Sequence, residues 1–159
     1  MRALLFVLLG ISIIGCSTLI PVQADRDAQR EFVYDYEVQG VDKTELWVRA
    51  RNFIAESFGD SRSVLRVEDR EETTLIGRGA VSWNLLGNTC ATEYQLRFES
   101  RDNRARLGLE IIEGVPPYSA CTGWPWPSED GYNTIINSFE RLSNGLEDAL
   151  NESSSFSDF

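Results

Sequence analysis

The sequence predicts an α+β domain: a single antiparallel sheet of about five strands, in the order strand, helix, four strands, helix, with two helices packed on one face. Three observations carry this. Apolar and polar residues alternate with period two in five segments, two longer segments repeat their apolar residues at three and four residue steps, and turn-forming clusters separate consecutive alternating segments.

In residues 31–39, Phe32, Tyr34, Tyr36 and Val38 alternate with Val33, Asp35, Glu37 and Gln39, a strand with one wet face. Gly40 ends it. Asp42 or Thr44 caps a helix over residues 44–58, with Glu45 in its first turn. Leu46, Trp47, Ala50, Phe53, Ile54 and Phe58 share one face of that helix, so it lies on the sheet. Residues 59–61 end the helix, residues 63–68 begin a second strand through Leu65 and Val67, and residues 69–73 turn the chain. The third strand, residues 75–83, places Leu75, Gly77, Gly79, Val81 and Trp83 on one parity. Two glycines on the inner face leave space for a bulky group, and Trp47 and Phe53 of the helix are the candidates. A ligand is the alternative occupant.

Leu86-Gly87-Asn88 turns into a fourth strand over residues 92–100, with Tyr94, Leu96 and Phe98 inward. Residues 101–104 form a hairpin turn into a fifth strand, residues 105–112, carrying Leu107, Leu109 and Ile111. Residues 114–130 form a long loop rich in Pro, Gly and aromatics, a length that in a small domain is functional or needs a staple. The last element, residues 131–151, is an amphipathic helix with Ile135, Ile136, Phe139, Leu142, Leu146, Ala149 and Leu150 on one face, loosened locally at Asn144-Gly145.

Composition limits the chemistry. The 159 residues carry 25 acidic and 15 basic side chains, a net charge of −10, so nucleic acid and anionic lipid are poor partners. The chain has no histidine, which removes Ser-His-Asp and Cys-His catalysis, imidazole acid/base work and His-ligated zinc. No EF-hand spacing is present in the acidic runs at residues 68–72 or 129–130. No catalytic residue, metal ligand or cofactor is assigned.

Location is more legible than activity. An apolar run from Ala3 closes on Ile13-Ile14-Gly15-Cys16, which resembles the lipobox cut by bacterial signal peptidase II before a lipid-modified cysteine. The resemblance implies that residues 1–15 are a signal peptide and that Cys16 becomes the acylated first residue. A lipid anchor makes the membrane the first partner. Residues 16–30 read as a polar, lipidated tether, residues 31–151 as the folded domain and residues 152–159 as a flexible tail. Ser17, in place of an Asp, favours the outer membrane, facing the periplasm. An ordinary secretory signal with Cys16 incidental is the alternative. With Cys16 acylated, Cys90 and Cys121 remain as an even pair in an oxidising compartment, and a disulfide follows. Closing a loop of that length removes about 3 to 4 kcal/mol of unfolded-chain freedom in the entropy model. Two free thiols, or a redox pair without CxxC spacing, are the other readings.

Residues 38–58 (VQGVDKTELWVRARNFIAESF), residues 73–83 (TTLIGRGAVSW) and residues 101–110 (RDNRARLGLE) resemble a family of bacterial domains of unknown function with a TBP-like fold. The matching features are Lys43, Glu45 and Leu46 at the helix start, the Ile76-Gly77-Arg78-Gly79 segment, and a hairpin with Arg101, Asp102 and Arg104. Asn103 stands where the family usually has Gly. The resemblance implies a shape similar to TATA-binding protein and an envelope location. It brings no known activity, and the shape does not imply DNA binding.

The remaining candidate site is the loop. Tyr118, Trp124 and Trp126, interleaved with Pro116, Pro117, Pro125 and Pro127, form a stiff aromatic platform for an envelope protein or a glycan. The competing reading is that Trp124 and Trp126 cover one end of the core. On the outward parities, Arg66, Arg78, Arg97, Arg104 and Arg106 alternate with acids, as a cross-strand paired, solvated face or as an anion groove. The function expected is that of a non-enzymatic cell-envelope lipoprotein with a binding module. Small-ligand or glycan binding is the alternative, and a carboxylate-dependent hydrolase is the third reading.

Overall fold

In the computed structural model, residues 21–58 and 64–152 are described. The expectations for the signal peptide, Cys16, the turn at residues 59–61 and the tail at residues 153–159 lie outside the described residues.

The alternating segments become five strands: β1 (Glu31–Glu37), β2 (Leu65–Asp69), β3 (Thr74–Leu85), β4 (Asn88–Arg101) and β5 (Arg104–Ile111). They form one antiparallel sheet in the order β1-β5-β4-β3-β2. The two periodic segments become α1 (Lys43–Phe58) and α2 (Glu129–Asn151). The expected fold class is what the chain adopts.

Inner residues of the strands and one stripe of each helix make a single core. Leu96, Phe98, Leu107 and Leu109 are fully buried from the sheet side. Leu46, Ala50 and Ile54 of α1 and Ile135, Phe139, Leu146 and Leu150 of α2 meet them from the other. Each large apolar side chain removed from water here stabilises the fold by roughly 1.5–3 kcal/mol before entropy is counted. Helix ends are closed by neighbouring groups. The Asp42 carboxylate accepts from the amides of Thr44 and Glu45, and Ser128 Oγ accepts from Gly131 N–H. α2 has no basic residue in its last turn, and Arg49 of α1 supplies the missing donor to Leu150 O at 2.7 Å.

Three expectations change in detail. Val67 is 43% exposed, because a register shift between Leu65 and Val67 turns it out of the core. Gly145 does not loosen α2, which runs unbroken; a Cβ there would lie 2.9 Å from the Phe53 ring, so the glycine lets α1 approach. Residues 21–30, expected within a free tether, lie on the domain. Gln23 bridges to Ser128, Ala24 N–H donates to Pro127 O, Glu129 N–H donates to Val22 O, and Ala24 is buried.

The turns set the two ends of the sheet. At one end, Asn103, in the left-handed region at φ 66°, accepts from Gly40 N–H through its side chain, and Asp102 accepts from Lys43 N–H. The hairpin between β4 and β5 thereby clamps the connection from β1 to α1. At the opposite end lie the hairpin between β3 and β4, the start of α2 and residues 21–30.

Candidate functional site

The long loop after β5 is a structural seal. Thr89 O accepts from Ala120 N–H, Ser119 Oγ accepts from Ala91 N–H, and Cys121 is joined to Cys90 by a disulfide. The loop thereby covers the part of β4 that projects beyond its pairing with β5. Trp126, which the sequence left between an exposed platform and cover for one end of the core, is fully buried and takes the second role. Its indole N–H donates to Asp25 O at 3.1 Å, and the Arg30 guanidinium lies 4.6 Å from its ring centroid. Trp124 is half-buried against the core, and only Tyr118 of the three is exposed, with its hydroxyl donating to Glu93 at 3.0 Å. The platform of three aromatics does not form. An indole N–H seeks a partner when buried, and here the partner is a carbonyl 101 positions away, which local patterning does not reveal.

The space at the two inner glycines is filled by groups other than those expected. A Cβ on Gly79 would sit 2.4 Å from the Tyr94 ring tip, and one on Gly77 would sit 2.7 Å from Val64 O. Tyr94 therefore occupies the place expected for Trp47 or Phe53. Burial raises its phenol above the ordinary range, and Tyr36, whose hydroxyl meets Ser143 Oγ at 2.8 Å, is pushed up to about 12 by burial above all.

A groove of about 510 Å³ does open further along β3. Phe53 and Phe58 of α1, Leu142 and Arg141 of α2, and Ala80 and Ser82 of β3 line it. β2 pairs with β3 only as far as Gly77, so among the described residues the outer edge of β3 beyond Gly77 has no strand partner. The two glycines on one parity of β3 lead sequence reasoning to a pocket between this strand and the first helix; the share of α2 in its wall, through Ser138, Arg141 and Leu142, was not legible.

The open face of the sheet carries the charges. Asp35 and Arg106 face each other in register and pair through two hydrogen bonds, and Arg78 reaches Glu93 at 3.2 Å. Arg97 instead pairs within its own strand with Glu99. A hollow of about 340 Å³ lies between β1, β5 and β4, flanked by Asp35, Glu37, Arg101, Arg104 and Arg106. The hydrogen bond from Arg106 holds the Asp35 carboxyl below the usual range, so it stays ionised and is a poor proton donor. Among the acids considered from sequence, Glu68 pairs with Arg51, Asp69 accepts from the Glu71 and Glu72 amides, and Glu129 and Asp130 occupy the first turn of α2. No group of three or more metal-ligating side chains occurs among the described residues, and no described helix is long and apolar enough to cross a membrane.

These features define a class: a small α+β domain with one helix-covered sheet, a charged open face and a disulfide-sealed end. The chain belongs to the family described as "Domain of unknown function (DUF4468) with TBP-like fold", whose model matches residues 32–113. The match stops before the aromatic loop. In structure the chain is similar to a TBP-like protein from Parabacteroides distasonis ATCC 8503, with a TM-score of 0.52 and 14% identity over 74% of this chain and 92% of that one. It is also similar to a DUF4468 family protein from Bacteroides ovatus ATCC 8483, with a TM-score of 0.54 and 11% identity over 84% and 92%. At these identities the likeness shows the fold. No curated protein matches the chain.

Proposed function

We propose that this is a non-enzymatic, lipid-anchored protein of the bacterial cell envelope, in the outer membrane facing the periplasm, whose domain binds an extended polypeptide segment of an envelope partner. The lipobox-like end at Cys16 supports the location, and the acidic surface and the lack of histidine support a protein partner over nucleic acid and over imidazole-based catalysis. One observation carries the binding reading: the groove lined by Phe53, Phe58 and Leu142 runs along β3 past Gly77, where no strand among the described residues pairs with its outer edge. Strand-edge donors and acceptors recognise another main chain, while an adjoining trough with apolar and polar walls accepts alternate side chains. Arg141 at the groove favours a segment that carries a carboxylate.

The test places a photocrosslinking side chain at Ser57 of α1, in the groove, and in a second strain at Arg97, on the open face. The expected result is a peptide adduct from the Ser57 position alone. Adducts from Arg97 alone, or from neither, contradict the reading. A glycan or small ligand in the same groove is the second reading, favoured by its two phenylalanine rings and the hydroxyls of Ser57, Ser82 and Ser138. An adduct with the mass of a sugar would select it.

A further inference from the structure

Five large apolar side chains are exposed among the described residues: Val22, Val33, Val67, Leu86 and Tyr118. Three of them gather at one end of the molecule. Leu86, 73% exposed, sits at the tip of the hairpin between β3 and β4 with a left-handed backbone, φ 49°. The two-residue turn sets that backbone, with Gly87 at φ 85°, and leucine is an uncommon residue there that leaves a large apolar side chain in water. Tyr118 belongs to the loop bonded to Thr89 and Ala91 of the same hairpin, and its hydroxyl reaches back along β4 to Glu93. Val22 O accepts from Glu129 N–H at the start of α2, where Gly131 receives the Trp83 ring of that hairpin. The opposite end holds Lys43, Arg101, Asp102 and Arg104 and is charged.

The chain leaves the domain at this apolar end. Because residues 21–30 are docked, only four residues lie between Pro21 and Cys16, a reach from Cα to Cα of at most about 17 Å when fully extended. Part of that reach is taken up by the headgroup layer, roughly 5–8 Å deep on each side of the hydrocarbon. We infer that the end of the domain formed by Val22, Leu86 and Tyr118 rests on the bilayer, with these side chains entering the headgroup region, and that the charged end and the β3 groove remain in water. The inference rests on the lipid anchor proposed above. The carboxylates of Glu129 and Asp130 lie at the same end, so the lipid surface that fits is zwitterionic.

The test uses the full chain, processed in bacteria and reconstituted in phosphatidylcholine/phosphatidylethanolamine vesicles. With Cys16 acylated and Cys90 bridged to Cys121, each of Leu86→Cys, Tyr118→Cys, Val22→Cys, Val33→Cys and Val67→Cys adds one thiol for a nitroxide. Collision with a water-soluble nickel reagent then reports depth. Labels at 22, 86 and 118 are expected to be shielded several-fold more than those at 33 and 67. Equal accessibility at 86, 118, 33 and 67 in protein whose mass shows the acyl chains would overturn the docking and leave the anchor standing. Shielding at 22 alone would do the same. A mass without acyl chains would overturn both.

Discussion

Glycines in this domain act as sockets for aromatic rings. Gly79 receives Tyr94, Gly131 receives Trp83 and Gly145 receives Phe53, each at a distance that a Cβ would violate. Tyr94 has little freedom to retreat, because its ring packs edge-on to Phe139 at 4.9 Å. Gly79→Ala is therefore expected to cost about 1–3 kcal/mol as an overpacked core. Gly123→Ala, with nothing within 4 Å of the new Cβ, should stay within about 0.5 kcal/mol of the parent. Urea unfolding of the two variants checks the contrast. A second residue-scale expectation concerns alkali. The buried phenol of Tyr36 is raised to about 12 in the fold, against its ordinary 10.0 when unfolded. Between these values the unfolded chain has lost the proton that the folded chain retains, so stability is intact below pH 10 and falls as pH rises toward 12. In Tyr36→Phe that decline should be shallower, read from urea midpoints between pH 8 and 11. The variant should start from a lower stability, because Ser143 loses its buried partner.

At the scale of elements, the loop at residues 114–128 and the segment at residues 21–30 stabilise each other. The loop presents Trp126 and the carbonyl of Pro127, and the segment answers with Asp25 O, Ala24 N–H and the Arg30 guanidinium. Trp126→Ala removes the ring around which both are folded and is expected to destabilise the domain by about 3–5 kcal/mol. Native-state hydrogen exchange should show faster exchange first at the amides of Ala24 and Glu129, with β4 and β5 protected as before. Uniform acceleration across the sheet would show that the loop and the segment are not a separable unit. The hairpin from β4 to β5 plays the matching part at the other end, where Asp102 and Asn103 bond the connection between β1 and α1. The residues that carry the family resemblance there are thus accounted for by turn geometry.

At the scale of the molecule, the five strands and two helices in their order along the chain and the Cys90–Cys121 bridge were legible because they depend on local alternation, turn chemistry and an even cysteine count, whereas the pairing of β1 with β5 was not. What local pattern did not reveal was set by partners distant in sequence. Trp126 stands between platform and core cover until Asp25 is brought to it, and residues 21–30 read as a tether until the loop gives them a surface. Val67 follows parity in the sequence and leaves it at a bulge. The groove beside β3 was expected against α1, and what the pattern did not show is that α2 completes its wall.

On the function proposed above, a lipid on Cys16 holds the sealed domain close to a membrane. The most direct measurement is the intact mass of the protein extracted from bacterial membranes, with thiol alkylation before and after reduction. The predicted result is a chain that begins at acylated Cys16 and takes up two alkyl groups only after reduction. A chain that begins elsewhere without acyl groups, or whose Cys90 and Cys121 alkylate without reduction, would contradict it.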